Sequence, residues 1–217
     1  MKNLFAFIFA IIYTQHLAAQ WVPAVPYYPA NIYMVNCATS YNGNIVIGGP
    51  FSDEFSGCNF ERVAMWNGSE WTDIGGGIPS ISPNFNKEVK VLAEFNGELY
   101  AGGCFHNWDT NISGIAKFNG TEWQRVSDSL YSNCVYAMQR GENALYVGGM
   151  FTHIISNTEG TAIRVLKIDS NGIEYIPFDA MYTSDVDNPT GRINCIAEYN
   201  GEIYIGGTFM SQDNPNM

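Results

Sequence analysis

Beyond its first nineteen residues the chain has no stretch with helical spacing of apolar positions. Its apolar residues fall instead in short runs rich in β-branched and aromatic side chains, and Asn-Gly interrupts these runs at 42, 67, 96, 119, 171 and 200. Asn-Gly supplies the two positive-φ positions that a type I′ turn needs, so each pair predicts a β-hairpin.

The hairpins repeat. Cys37-Ala-Thr-Ser-Tyr-Asn-Gly-Asn-Ile-Val-Ile-Gly-Gly-Pro-Phe51 aligns with Val91-Leu-Ala-Glu-Phe-Asn-Gly-Glu-Leu-Tyr-Ala-Gly-Gly-Cys-Phe105 and with Cys195-Ile-Ala-Glu-Tyr-Asn-Gly-Glu-Ile-Tyr-Ile-Gly-Gly-Thr-Phe209. A further copy runs from Val135 to Phe151 and reads as carrying two extra residues in its turn. The Gly-Gly pairs begin at 48, 102, 148 and 206, at spacings of 54, 46 and 58 residues. A second half follows: Val63-Ala-Met-Trp-Asn-Gly-Ser-Glu-Trp71, Ile115-Ala-Lys-Phe-Asn-Gly-Thr-Glu-Trp123 and the looser Val165–Tyr175. Two hairpins per repeat make four strands, the pattern of a β-propeller blade. The expected fold is all-β, a propeller of four-stranded antiparallel blades. About three and a half repeats are present, at 35–75, 89–127, 134–176 and an incomplete 193–217. The ring is expected to be incomplete in this chain, with residues 21–25 a candidate outer strand of a closing blade; the alternative is a four-bladed ring lacking one strand.

Gly48-Gly49 followed by Trp71, and Gly102-Gly103 followed by Trp123, resemble the Kelch-type and galactose-oxidase-like propeller repeats, above all the degenerate repeats of secreted bacterial surface proteins. The resemblance covers nearly all of residues 35–209. It departs in having Phe after the glycines and loops of uneven length. It implies a fold far more than a function, because one fold hosts many. The copper-radical site of galactose oxidase needs two Tyr, two His and a cross-linked Cys, and that set cannot be placed here.

Residues 1–19 have the layout of a secretory signal peptide, with Lys2, an apolar run from Leu4 to Tyr13, and Ala18-Ala19 before the cut. The domain proper is then 20–217, and the protein is expected outside the cell or on its surface. No later stretch reaches membrane-spanning length. Net charge is −11 over the whole chain. Such acidity argues against nucleic acid and against an anionic membrane surface, both of which need a basic footprint.

The Asn-Gly turns lie at one end of the blades. The long connections 50–62, 75–88, 104–114, 150–162 and 177–192 lie at the other, and variable loops on a rigid scaffold carry function. The expected binding residues are accordingly Trp108 and Tyr182 as exposed aromatics, with His106, His153 and Asp53. A metal shared by His106 and His153 with Asp53 or Cys104 is the sharper alternative to solvated loop histidines. Asp185 and Asp187 sit in an oxygen-rich turn that suits calcium but lacks the EF-hand spacing; an ordinary acidic turn explains it as well. No other cofactor is implied, and no pair of carboxylates is singled out by spacing for catalysis.

The five Cys are an odd number for a secreted chain. Cys37 and Cys195 occupy one repeat position, where the other copies are read as having Val. Cys58 and Cys104, in adjacent blades, are the proposed disulfide. Functionally the first expectation is a non-catalytic module binding an extracellular glycan or protein. The alternatives are a glycan-active or metal-dependent enzyme with part of its site in sequence not present here, and a spacer within a larger adhesin.

Overall fold

The computed structural model describes residues 34–52, 60–78, 87–128, 130–156, 159–176 and 191–208. Among them every regular element is a β-strand. Sheet I holds β1 (Cys37–Tyr41), β2 (Asn44–Gly48), β3 (Val63–Trp66) and β4 (Trp71–Thr72). Sheet II holds β5 (Glu88–Phe95), β6 (Glu98–Asn107), β7 (Ile112–Phe118) and β8 (Trp123–Arg125). Sheet III holds β9 (Leu130–Arg140), β10 (Leu145–Ser156), β11 (Glu159–Asp169) and β12 (Gly172–Ile176), and sheet IV holds β13 (Arg192–Tyr199) and β14 (Glu202–Thr208). Each sheet is antiparallel in simple chain order, as hairpin follows hairpin. The signal-peptide stretch, Asp53, Cys58, Tyr182, Asp185 and Asp187 lie outside the described residues.

Five of the six Asn-Gly pairs divide into two kinds; at the sixth Asp169 pairs with Gly172, so the two-residue turn is Ser170-Asn171. Asn42-Gly43, Asn96-Gly97 and Asn200-Gly201 all have positive φ at both residues and close the first hairpins as expected. Asn67 and Asn119 do not. There Trp66 pairs with Trp71 and Phe118 with Trp123 across four-residue loops. The Asn side chain shapes the loop: Asn119 Oδ1 accepts from the backbone N–H of Thr121 and Glu122, both at 2.9 Å.

Gly48, Gly102, Gly148 and Gly206 stand opposite Cys37, Val91, Ala137 and Cys195 in identical register. The third hairpin therefore carries no extra residues, correcting the sequence alignment. Gly141 donates its N–H to the Ala144 carbonyl at 2.8 Å, leaving Glu142-Asn143 as the two-residue turn. Val135 is thus the counterpart of Val89, not of Val91.

A bulge sits at this point of the first strand in sheets II, III and IV, where Lys90, Tyr136 and Asn194 are the extra residues. It lets the strand start press against the second glycine: a Cβ on Gly103 would stand 2.0 Å from the Glu88 carbonyl oxygen, and one on Gly207 2.1 Å from that of Arg192. The first glycine serves the joint between sheets. A Cβ on Gly48 would meet Val89 Cγ1 at 2.5 Å, one on Gly102 would meet Val135 Cγ1 at 2.5 Å, and one on Gly148 would meet Ile193 Cγ2 at 2.6 Å. Sheets I, II and III thus each receive one β-branched knob from the next, and Val89, Val135 and Ile193 are completely buried. Burying such a side chain stabilises by about 1.5–3 kcal/mol. An apolar cluster surrounds each joint, with Tyr41 and Val46 meeting Leu92 and Leu99 at the first, and Phe95 and Tyr100 meeting Val135 and Leu145 at the second.

Two expectations about the far end are revised. The connections 104–114 and 150–162 are not open loops, because β6 and β7, and β10 and β11, continue past the glycines as paired hairpin arms. Cys104 bonds to Cys134 and not to Cys58: the corrected register puts Cys134 within β9, just before the bulge, with its Cα 4.4 Å from that of Cys104. The bond staples sheet II to sheet III. Buried Arg62 (φ 69°) closes the joint between sheets I and II, donating to the carbonyls of Lys87 (2.9 Å) and Ile78 (2.7 Å).

Candidate binding site

The arm of sheet II carries the most exposed described tryptophan. Asn107 ends β6, buried, and its Oδ1 accepts from the N–H of Asp109 (2.9 Å) and Thr110 (3.2 Å). Asn111 takes the left-handed conformation, φ 58°, that returns the chain to β7. Trp108 thus opens a tightly capped turn and is 59% exposed. Beneath it lies His106, completely buried, its ring 3.8 Å centre to centre from the indole and nearly perpendicular to it. Burial pushes the His106 imidazole below its ordinary value, because desolvation disfavours the charged ring. His106 is therefore a support for Trp108 rather than a ligand contact, which corrects its expected role.

A polar belt runs along the starts of the first strands at this same end, since Glu88 pairs with Cys104, two residues before His106. Asn36 of sheet I donates from Nδ2 to Glu88 Oε2 and to the Val89 carbonyl, both at 2.9 Å. Glu88 accepts the Lys90 ammonium at 2.7 Å. Lys90 lies 5.7 Å from the centre of the Tyr136 ring, and Arg192 of sheet IV lies 5.3 Å from it. Such cation–π contacts contribute about 0.5–1 kcal/mol each near solvent. The bulges make the belt, because the extra residue at each turns Lys90 and Tyr136 out beside their neighbours. Sequence reading missed it: the four sheets meet there only after they pack.

His153 is in β10, paired with Leu130 and Thr161. Cys104, held in its disulfide, supplies no thiolate to a metal. Among the described residues no three His, Cys, Asp or Glu side chains come together to hold a metal ion. No described helix is long and apolar enough to cross a membrane, which says nothing of strands. What the end offers is an exposed indole supported from below and, along the strand starts, amide, ammonium, guanidinium and phenol groups. These suit recognition of a polar ligand with apolar patches. No family model matches the chain, and no curated protein does.

Proposed function

We propose that the four sheets are consecutive blades of a secreted or cell-surface β-propeller of the Kelch-like, galactose-oxidase-like kind, and that it binds an extracellular glycan without catalysis. A protein partner is the other ligand the same end would take. The repeat favours the propeller: every sheet is antiparallel, in chain order, and meets its neighbour through one glycine and one β-branched residue. The observation that carries the binding reading is Trp108, exposed at the tip of a capped arm and held from below by a buried ring. A tryptophan fixed in this way gives a ligand a large flat surface at small cost in conformational entropy. Polar groups of the belt would then fix the orientation of a sugar stacked on it.

Glycan-array screening of the whole chain, followed by calorimetry with the best carbohydrate, tests this reading. Saturable binding that Trp108→Ala weakens tenfold or more supports it. Binding that ignores Trp108, or no binding to any carbohydrate, contradicts it.

A further inference from the structure

Apart from Trp108 and Met34, every exposed large apolar side chain among the described residues falls on one of two faces. Tyr199 (66% exposed) and Tyr204 (51%) lie on sheet IV. Their counterparts in sheet II, Phe95 (3%) and Tyr100 (4%), are buried beneath sheet III. The likeness extends to the hydroxyls: Tyr100 donates to Glu98 at 2.9 Å and Tyr204 to Glu202 at 2.8 Å. Val35 (45%), two residues before β1, and Ile45 (47%), in β2, lie at sheet I. Their counterparts Val89 and Leu99 are completely buried against sheet I itself. Gly206 repeats Gly48, Gly102 and Gly148, yet among the described residues only the Cys195 sulfur of its own sheet comes within 4 Å of a Cβ built there.

Among the described residues nothing fills the hollow of sheet IV, which is of the kind that three sheets of this chain use to hold the next. Sheet I presents an unburied knob of the kind that three sheets insert. We infer that the protein associates head to tail with a second copy of itself, Val35 of one copy seating on Gly206 of the other. The contact would continue the joint already made between sheets I and II, II and III, and III and IV. The same geometry would then cover Tyr199 and Tyr204 with Val35 and Ile45. Because the two faces differ, the contact is heterologous: it closes into a ring if the rotation allows and otherwise extends.

Native mass spectrometry and light scattering on the whole chain test it. The wild type is expected at a multiple of the protomer mass. Val35→Asp and Tyr204→Asp, both at exposed positions, are each expected to be folded and monomeric by themselves. Mixed, they are expected to form a one-to-one pair, since each retains the face the other needs. A monomeric wild type overturns the inference. So does an oligomer that both substitutions leave intact, or a mixture of the two variants that stays monomeric.

Discussion

Val89 occupies the space that a side chain on residue 48 would need: its Cγ1 lies 2.5 Å from where a Cβ on Gly48 would stand. The same pairing recurs between Val135 and Gly102 and between Ile193 and Gly148. Glycine is required at these points for closeness, with no positive φ involved, since the neighbouring sheet has no room to withdraw while its own core stays packed.

Gly102→Ala is therefore expected to destabilise by about 1–3 kcal/mol, the range for overfilling a packed site. Gly103→Ala should cost more, because its Cβ would meet the Glu88 carbonyl oxygen at 2.0 Å, and backbone moves less easily than a side chain. Shortening the knob should recover part of the first loss, so Gly102→Ala with Val135→Ala should be less than additive. Urea unfolding of the two single variants and the double variant reads this directly.

The disulfide encloses a separation of 30 residues. Chain-entropy reasoning gives about 3–4 kcal/mol for a loop of that size. Cys104→Ser should lower stability by up to that amount, and Cys134→Ser should do the same. A non-reduced peptide map is expected to show Cys104 linked to Cys134. A Cys58–Cys104 peptide would contradict the register of β9.

Burial of Cys37 against Gly48 pushes its thiol up from 9.0 to about 12. The unfolded thiol ionises first, so stability is complete below pH 9 and falls as pH rises toward 12. Cys37→Ala should flatten that fall relative to wild type in unfolding curves across this window. In monomeric Val35→Asp, whose sheet IV has no partner copy over it, alkylation should reach exposed Cys195 well before Cys37.

His106 has the opposite sign. Its imidazole is held below 6.5 by desolvation, so the unfolded chain takes up the proton more readily and stability is lost as pH falls through that value. His106→Phe keeps a ring beneath Trp108 and removes the proton site. Its melting temperature should depend less on pH in this range than that of the wild type.

Much of the fold was legible because it is local. The type I′ turns at Asn42, Asn96 and Asn200 follow from the φ values Asn and Gly accept, and the Gly-Gly spacing delimits the sheets within a few residues. The third repeat misled because Gly141 resembles a turn glycine, whereas the strand pairing that places it before the turn is set by partners across the sheet. That two-residue slip set Cys134 beside the wrong neighbours and left Cys58 as the apparent partner of Cys104. The arms were hidden because segments such as His106–Asn107 and Ile112–Ser113 show no turn signal or repeat match and reveal their pairing only across the sheet. Trp108 was legible as an exposed aromatic, but the burial of His106 beneath it was not, since a histidine near a turn reads as polar until its surroundings are known.

Binding through the indole is the central claim, and calorimetric titration of wild type and Trp108→Ala with the same array-selected carbohydrate tests it most directly. The expected result is saturable binding by the wild type, weakened tenfold or more in the variant, with the two melting temperatures equal because the side chain is 59% exposed. Equal affinity in the two proteins, or a wild type that binds no carbohydrate, would contradict the account.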